Sequence, residues 1–142
     1  MISGGSMVID CDALPNGPEN GLKVVQHQRQ GRFLWDQRKV TLWRPQLCDC
    51  RPWIEYHEFY AWVKGERTLN ANVHDFLINN PELIPPEWQL GTAGRYGVFF
   101  FGTIFSGLRA QGLQFHEGSW RSVLSRSFDS SKNFHGHAAV LS

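Results

Sequence analysis

The last quarter of the chain combines the side chains that protein recognition surfaces use. Between His116 and His137 the sequence contains six serines, two arginines, one lysine and one asparagine, interrupted by Trp120, Phe128 and Phe134. Rigid aromatic anchors beside arginine and adaptable hydroxyl and amide groups are typical of binding interfaces. An edge hairpin kept soluble by polar residues is the alternative explanation. We predict a binding site, with no catalytic residue, formed by Arg121, Ser125, Arg126, Ser127, Asn133 and Phe134.

The two-residue period of a strand predicts which of these side chains face a partner. If residues 120–128 form one strand, Trp120, Leu124 and Phe128 share one face and anchor the strand to the core. Arg121, Val123, Ser125 and Ser127 then share the other face. The polar face is therefore the predicted contact surface.

Two carboxylates near the start of the chain suggest a different chemistry. Asp10 and Asp12 lie two residues apart, so both would point to the same face of an extended strand. With a histidine such as His57 they could support acid–base catalysis or divalent-cation binding, although solvated acids at a strand end explain them equally well. The alternative function is a small metal-assisted or hydrolase-like enzyme that uses Asp10, Asp12 and His57.

Nucleophilic catalysis lacks a recognisable motif in this chain. Ser119, Ser122 or Cys11 would each need a paired histidine to act as a nucleophile. The sequence has no G-x-S-x-G elbow, no P-loop and no dinucleotide-binding fingerprint after a strand. Because these motifs are missing, we assign no catalytic residue.

Cysteine and histidine pairs are the candidates for a metal site. Cys48 and Cys50, with His57, have a spacing shorter than the two to four intervening residues that zinc sites favour. His135 and His137 would point the same way on a strand, but the glycine between them favours a turn. We therefore expect neither a metal nor another cofactor.

Composition excludes several broad classes of protein. The chain has 142 residues and a formal net charge of +1, and its basic residues are scattered, so we expect no nucleic-acid partner. No apolar run reaches the 18 residues of a membrane span, and we expect no membrane association. Three cysteines are an odd number, and the N-terminus lacks the features of a secretory signal. These features predict a cytoplasmic location.

The order of periodic segments predicts the fold class. Tyr56, Phe59, Tyr60 and Val63 form one apolar stripe of a helix at about 53–64. A second helix at about 71–80 follows a capping asparagine, buries Val73, Phe76 and Leu77, and stops at a proline. The remaining segments predict strands at 22–28, 33–43, 96–105 and 120–128, of which 96–105 is a near-continuous apolar run, and a bulge is expected at Gly112. We predict an α+β fold with a mainly antiparallel sheet of five to seven strands and both helices packed on one face.

Several segments resemble a family of small uncharacterised bacterial proteins from candidate-phylum and environmental genomes. The resemblance lies in VIDCDA, in the block from Gln26 to Trp43, in IEYHEF, in VFFFGTIF and in the C-terminal GSW…AAVLS. Its most specific part is LNANVHDFLINNPELIPPEW, which begins at Leu69 and ends at Trp88. Together the segments cover most of the chain from Met7 onward. The resemblance implies one domain and carries no known activity, ligand or partner.

Residues 7–142 are thus predicted to form a single α+β domain, preceded by a flexible N-terminus or cloning remnant at residues 1–6. The favoured function is a small, non-catalytic cytoplasmic binding protein that recognises a protein or a small ligand through its C-terminal sheet. A further alternative is a homo-oligomer in which exposed aromatic side chains form the subunit interface.

Overall fold

A computed structural model describes residues 7–15, 17, 21–47, 51, 53–89, 97–128 and 133–142. The predicted flexible start at residues 1–6 lies outside the described residues. Within the described residues there are two α-helices and nine strands. The helices are α1 (Tyr56–Val63) and α2 (Ala71–Asn79). The strands are β1 (Val8–Asp10), β2 (Val24–His27), β3 (Arg32–Leu34), β4 (Val40–Trp43), β5 (Val98–Phe99), β6 (Thr103–Phe105), β7 (Gln111–His116), β8 (Ser119–Leu124) and β9 (His137–Leu141).

Helix α1 is confirmed where the apolar stripe predicted it. The backbone N–H of Glu55 donates to Oε1 of Glu58 at 3.2 Å, which satisfies a donor at the helix start. The buried side chains are the four of the predicted stripe: Tyr56, Phe59, Tyr60 and Val63.

Helix α2 is also confirmed, but its buried face differs from the prediction. The side chain of Asn70 accepts from the backbone N–H of Asn72 at 3.1 Å and caps the helix. Val73 and Leu77 are fully buried as expected, whereas Phe76 is only half-buried. His74 occupies the buried face instead, with 2% of its surface exposed. None of the helices in the described residues is long and apolar enough to cross a membrane.

The sheets are mixed rather than one mainly antiparallel sheet. Strands β1 and β3 form one two-stranded sheet, and β2 and β6 form another. The main sheet has five strands in the order β4-β9-β5-β7-β8. Its β9–β5 pair is parallel and its other pairs are antiparallel. The predicted single, mainly antiparallel sheet of five to seven strands is therefore wrong, although the α+β class is right.

The two helices cover opposite faces of the five-stranded sheet, not one face as predicted. On β5, Val98 joins the core cluster that contains Val73 and Leu77 of α2. Its neighbour Phe99 joins the cluster that contains Phe59 of α1. Because successive strand residues point to opposite faces, the sheet has an α2 face and an α1 face. Each face has its own apolar core.

All four predicted strands are longer than the strands observed. The segment at 22–28 contains β2, and the segment at 33–43 contains most of β3, a short 3₁₀ helix and β4. The apolar run at 96–105 contains two strands, β5 and β6, with a turn between them. The predicted strand at 120–128 begins at Ser119 and ends at Leu124. Residues beyond Leu124 therefore do not follow the strand period used to assign their faces.

Candidate functional site: an arginine-lined cleft

A cleft of about 920 Å³ opens on the α1 face, beside the β7–β8 hairpin. The hairpin supplies one wall, and residues 125–127 after β8 and 133–136 before β9 supply the other. The cleft is lined by Tyr56, Phe99, Arg109, Gln114, Arg121, Val123, Leu124, Ser125, Arg126, Ser127, Asn133, Phe134, His135 and Gly136.

The floor of the cleft is aromatic and depends on two glycines. The Phe99 and Phe134 rings lie 5.2 Å apart between their centroids. A Cβ atom on Gly112 would lie 2.6 Å from Cδ1 of Phe99, and one on Gly136 would lie 2.6 Å from Cδ2 of the same ring. Gly112 pairs regularly with Val123, so it is not the predicted bulge. It is a position where the Phe99 ring leaves no room for a side chain.

A closed hydrogen-bond chain fixes the buried end of the cleft. The Tyr56 hydroxyl donates to the Leu108 carbonyl at 2.7 Å, and the Ser125 hydroxyl donates to the Tyr56 oxygen at 3.0 Å. Oγ of Ser125 also accepts from the Ala110 backbone N–H at 2.9 Å. Burial raises the pKa of Tyr56, which keeps the phenol neutral and able to donate.

Three arginines bring positive charge to the cleft. Arg121 donates through Nε to Oε1 of Gln114 at 2.9 Å, and Arg126 is exposed. Nε of Arg109 is buried and has no hydrogen-bond acceptor in the described part of the chain. None of the described residues that line the cleft is acidic. A buried N–H without an acceptor is costly, so an anionic group entering here would gain more than at an exposed arginine.

Arg44 fixes the wall that leads into β9. Its Nη1 donates to the Gly136 carbonyl at 2.7 Å, and its Nη2 donates to the Phe134 carbonyl at 3.2 Å. Burial, together with the charge of Arg44, lowers the pKa of the adjacent His137. This histidine is therefore favoured in its neutral form.

All six residues predicted to bind line this one cleft. Arg121, Arg126, Ser127 and Asn133 are at least partly exposed there. The prediction is wrong for the orientation of Ser125, which is 6% exposed and used by the Tyr56 hydrogen-bond chain. Phe134 is 7% exposed and belongs to the α1-face core. Ser125 and Phe134 therefore stabilise the shape of the cleft and do not extend into it towards a ligand.

The strand-phase prediction holds only within β8. Trp120 packs in the α2-face cluster, while Val123 packs in the α1-face cluster, as alternation requires. Phe128 follows the strand and does not share the face of Trp120. The centroid of its ring lies 5.5 Å from the ring centroid of Tyr60 on α1, and 38% of the residue surface is exposed.

Sequence reasoning missed Tyr56, Phe99, Arg109 and Gln114 as cleft residues. For one of them, Gln114, the sequence contained a detectable signal. The two-residue turn at Glu117 and Gly118 sets a hairpin register in which Gln114 lies opposite Arg121. The other three reach the cleft through long-range packing, for which no local pattern exists.

The residues of the predicted enzyme are not brought together. Asp10 ends β1, whose neighbours Ile9 and Cys11 pack in the α2-face cluster. Oδ1 of Asp12 accepts from the Gly31 backbone N–H at 2.8 Å. His57 lies on α1, across the five-stranded sheet, with its Nδ1 3.3 Å from Oε2 of Glu55. No shared site forms from Asp10, Asp12 and His57 in the described structure.

Of the predicted metal candidates, the structure describes His57, His135 and His137. Among the described residues, one group of possible ligands lies close together: Glu55, His57 and Glu58. Glu58 pairs with Arg51 and accepts the Glu55 backbone N–H, which explains its position without an ion. Cys48 and Cys50 lie outside the described residues.

Comparison with known proteins adds no functional assignment. No protein-family model, curated protein or solved structure matches the chain.

Proposed function

We propose that this chain is a binding protein whose cleft takes an anionic group, either a carboxylate or a phosphate, on a protein or a small molecule. The observation that carries the proposal is the set of three arginines in a cleft whose described lining contains no acid. Arg109 contributes a buried N–H that has no acceptor in the described residues. Arginine recognises carboxylate and phosphate groups well because its planar donors can form paired hydrogen bonds.

The rest of the lining suits a ligand with both polar and apolar parts. The amides of Gln114 and Asn133 can donate and accept hydrogen bonds beside the arginines. Phe99 and Phe134 offer an aromatic floor for an apolar portion. Because the net charge of the chain is only +1, the positive potential is local to the cleft rather than spread over the surface.

Isothermal titration calorimetry with citrate and with inorganic phosphate tests the proposal. We expect at least one of the two anions to bind, and Arg109→Gln or Arg126→Gln to weaken that binding about tenfold or more, since a hydrogen bond to a charged group contributes roughly 1.5–3 kcal/mol. Arg67→Gln is the matched control, because Arg67 is exposed and does not line the cleft. Failure of both anions to bind, or equal weakening by all three substitutions, contradicts the proposal.

A homo-oligomer is the second candidate, and exposed aromatic side chains favour it. Trp62 is 52% exposed, Trp53 is 45% exposed and Phe128 is 38% exposed. Size-exclusion chromatography with light scattering separates the two candidates. A mass near 16.3 kDa fits a monomeric binding protein, whereas twice that mass favours the oligomer.

A further inference from the structure

Three side chains on the α2 face form a serine–histidine–aspartate arrangement. Nε2 of His74 lies 2.9 Å from Oγ of Ser122, and Nδ1 of the same ring lies 2.8 Å from Oδ1 of Asp75. The histidine side chain is 2% exposed, and the aspartate side chain is 34% exposed. Both distances lie within the range required between a nucleophile and its base, and between that base and the group that orients it.

Packing fixes the central imidazole. His74 lies on the buried face of α2, between Val73 and Leu77. Its ring contacts Phe100 edge-on, with 5.7 Å between the ring centroids. A ring held in this way needs no reorganisation to keep its two nitrogens aimed at Ser122 and Asp75.

The hydrogen-bond partners determine which nitrogen carries the proton. An ionised carboxylate can only accept, so Asp75 takes the Nδ1–H of His74. In the neutral imidazole this leaves a lone pair on Nε2, which can accept the hydroxyl proton of Ser122. The arrangement is the one that a general base requires before it activates a serine.

Ser122 also lies where a substrate can approach. It is an exposed residue of β8, which is an edge strand of the five-stranded sheet within the described part of the chain. The Ser125 backbone N–H donates to the Ala110 carbonyl at 2.9 Å, so Ala110 and Ser125 are a hydrogen-bonded pair. Along an antiparallel hairpin such as β7–β8, hydrogen-bonded pairs alternate with pairs that are not hydrogen-bonded. By this alternation the Leu113–Ser122 pair is not hydrogen-bonded. The backbone N–H of Ser122 therefore points to the open edge, where it can donate to a developing oxyanion.

We propose that Ser122, His74 and Asp75 form a serine esterase site at the open edge of β8. The Ser122 oxygen attacks the carbonyl carbon of an ester while its proton passes to Nε2 of His74. The C–O bond to the leaving alcohol then breaks, and the alkoxide takes that proton from His74. A water molecule gives a proton to His74 and attacks the acyl-serine, which releases a carboxylic acid and restores the Ser122 hydroxyl.

The esterase site is independent of the arginine-lined cleft. Ser122 faces α2, whereas its neighbour Arg121 faces the cleft on the other side of the sheet. Arg67→Gln, at an exposed residue outside both sites, should therefore leave the reactivity of Ser122 unchanged.

A fluorophosphonate probe followed by peptide mapping tests this proposal. We expect the probe to label Ser122, and p-nitrophenyl acetate to leave an acetyl group on the same residue. Ser122→Ala should abolish both adducts. Ser119→Ala is the matched control, because Ser119 is an exposed serine of the same strand on the opposite face, and it should leave labelling unchanged.

Asp75→Ala tests the orientation of the base, His74, rather than the nucleophile. Alanine suits a helix and Asp75 is partly exposed, so the variant should keep the wild-type circular dichroism spectrum. Its labelling rate should fall by roughly 10²-fold or more, the contribution of an oriented general base. An unlabelled Ser122 in the wild type, or an unchanged rate in folded Asp75→Ala, would overturn the proposal and leave His74 as a structural link between α2 and β8.

Discussion

Replacement of Gly112 by alanine should destabilise the protein, although Gly→Ala in an extended strand normally does the opposite. The added methyl would lie 2.6 Å from Cδ1 of Phe99 and 2.9 Å from the Val98 carbonyl oxygen, where 3.4–4 Å is an ordinary contact. The Phe99 ring would therefore have to move by roughly 1 Å. Gly136 blocks this movement on the other side of the ring, because Phe99 already lies so close to Gly136 that only a hydrogen atom fits between them.

The expected cost follows from the size of that clash. Overpacking of a filled core costs about 1–3 kcal/mol, whereas the reduced backbone entropy of the unfolded alanine chain offsets about 0.4–1 kcal/mol. In urea the unfolding midpoint should fall by roughly 0.5–2 M with little change in slope. Gly65→Ala is the control, because the nearest atom to its added methyl is 4.0 Å away. It should match the wild type or be slightly more stable.

A double-mutant cycle identifies the clash directly. Phe99→Leu alone should cost about 1–2 kcal/mol through lost burial. Combined with Gly112→Ala it should cost at least about 1 kcal/mol less than the sum of the two single substitutions, because the smaller side chain makes room for the methyl. A wild-type midpoint for Gly112→Ala, or additive effects in the double variant, would refute the assigned packing of Phe99.

Three further outcomes can be measured on the same material. Ser125→Ala should lower the free energy of unfolding, measured by urea denaturation, by about 1–3 kcal/mol, because it leaves buried groups without a hydrogen-bond partner. The control Ser119→Ala should change this free energy by less than about 0.5 kcal/mol. His137, whose pKa is lowered by burial and by Arg44, binds its proton more readily in the unfolded chain. Stability should therefore decrease as the pH falls below the ordinary histidine value of 6.5, and His137→Gln should flatten this part of the pH–stability curve. Burial raises the pKa of Cys11 to about 11, so iodoacetamide at pH 8 should leave Cys11 unmodified until the protein unfolds, as peptide mapping can show.

The sequence by itself determined both helices and one hairpin turn. Helix hydrogen bonds join residues four apart, so the apolar stripe of α1 and the Asn70 cap of α2 are visible within short segments. The β7–β8 turn is equally local, because Glu117 and Gly118 both have positive φ, at 51° and 83°. The clustering of arginine, serine and aromatic residues also indicated the segment that lines the cleft.

Only the tertiary structure decided how the sheet is assembled and which faces the helices cover. Strand β9, from the C-terminal end of the chain, pairs with β4 and β5, and no local pattern specifies such a distant pairing. The run from Val98 to Phe101 is buried on both faces, so it has no polar side that could assign α1 and α2 to opposite faces. For the same reason, the pairing of His74 with Ser122 across 48 positions arises only when α2 packs on β8. Helices depend on neighbours in the chain, whereas sheet order and side-chain sites depend on contacts between distant segments.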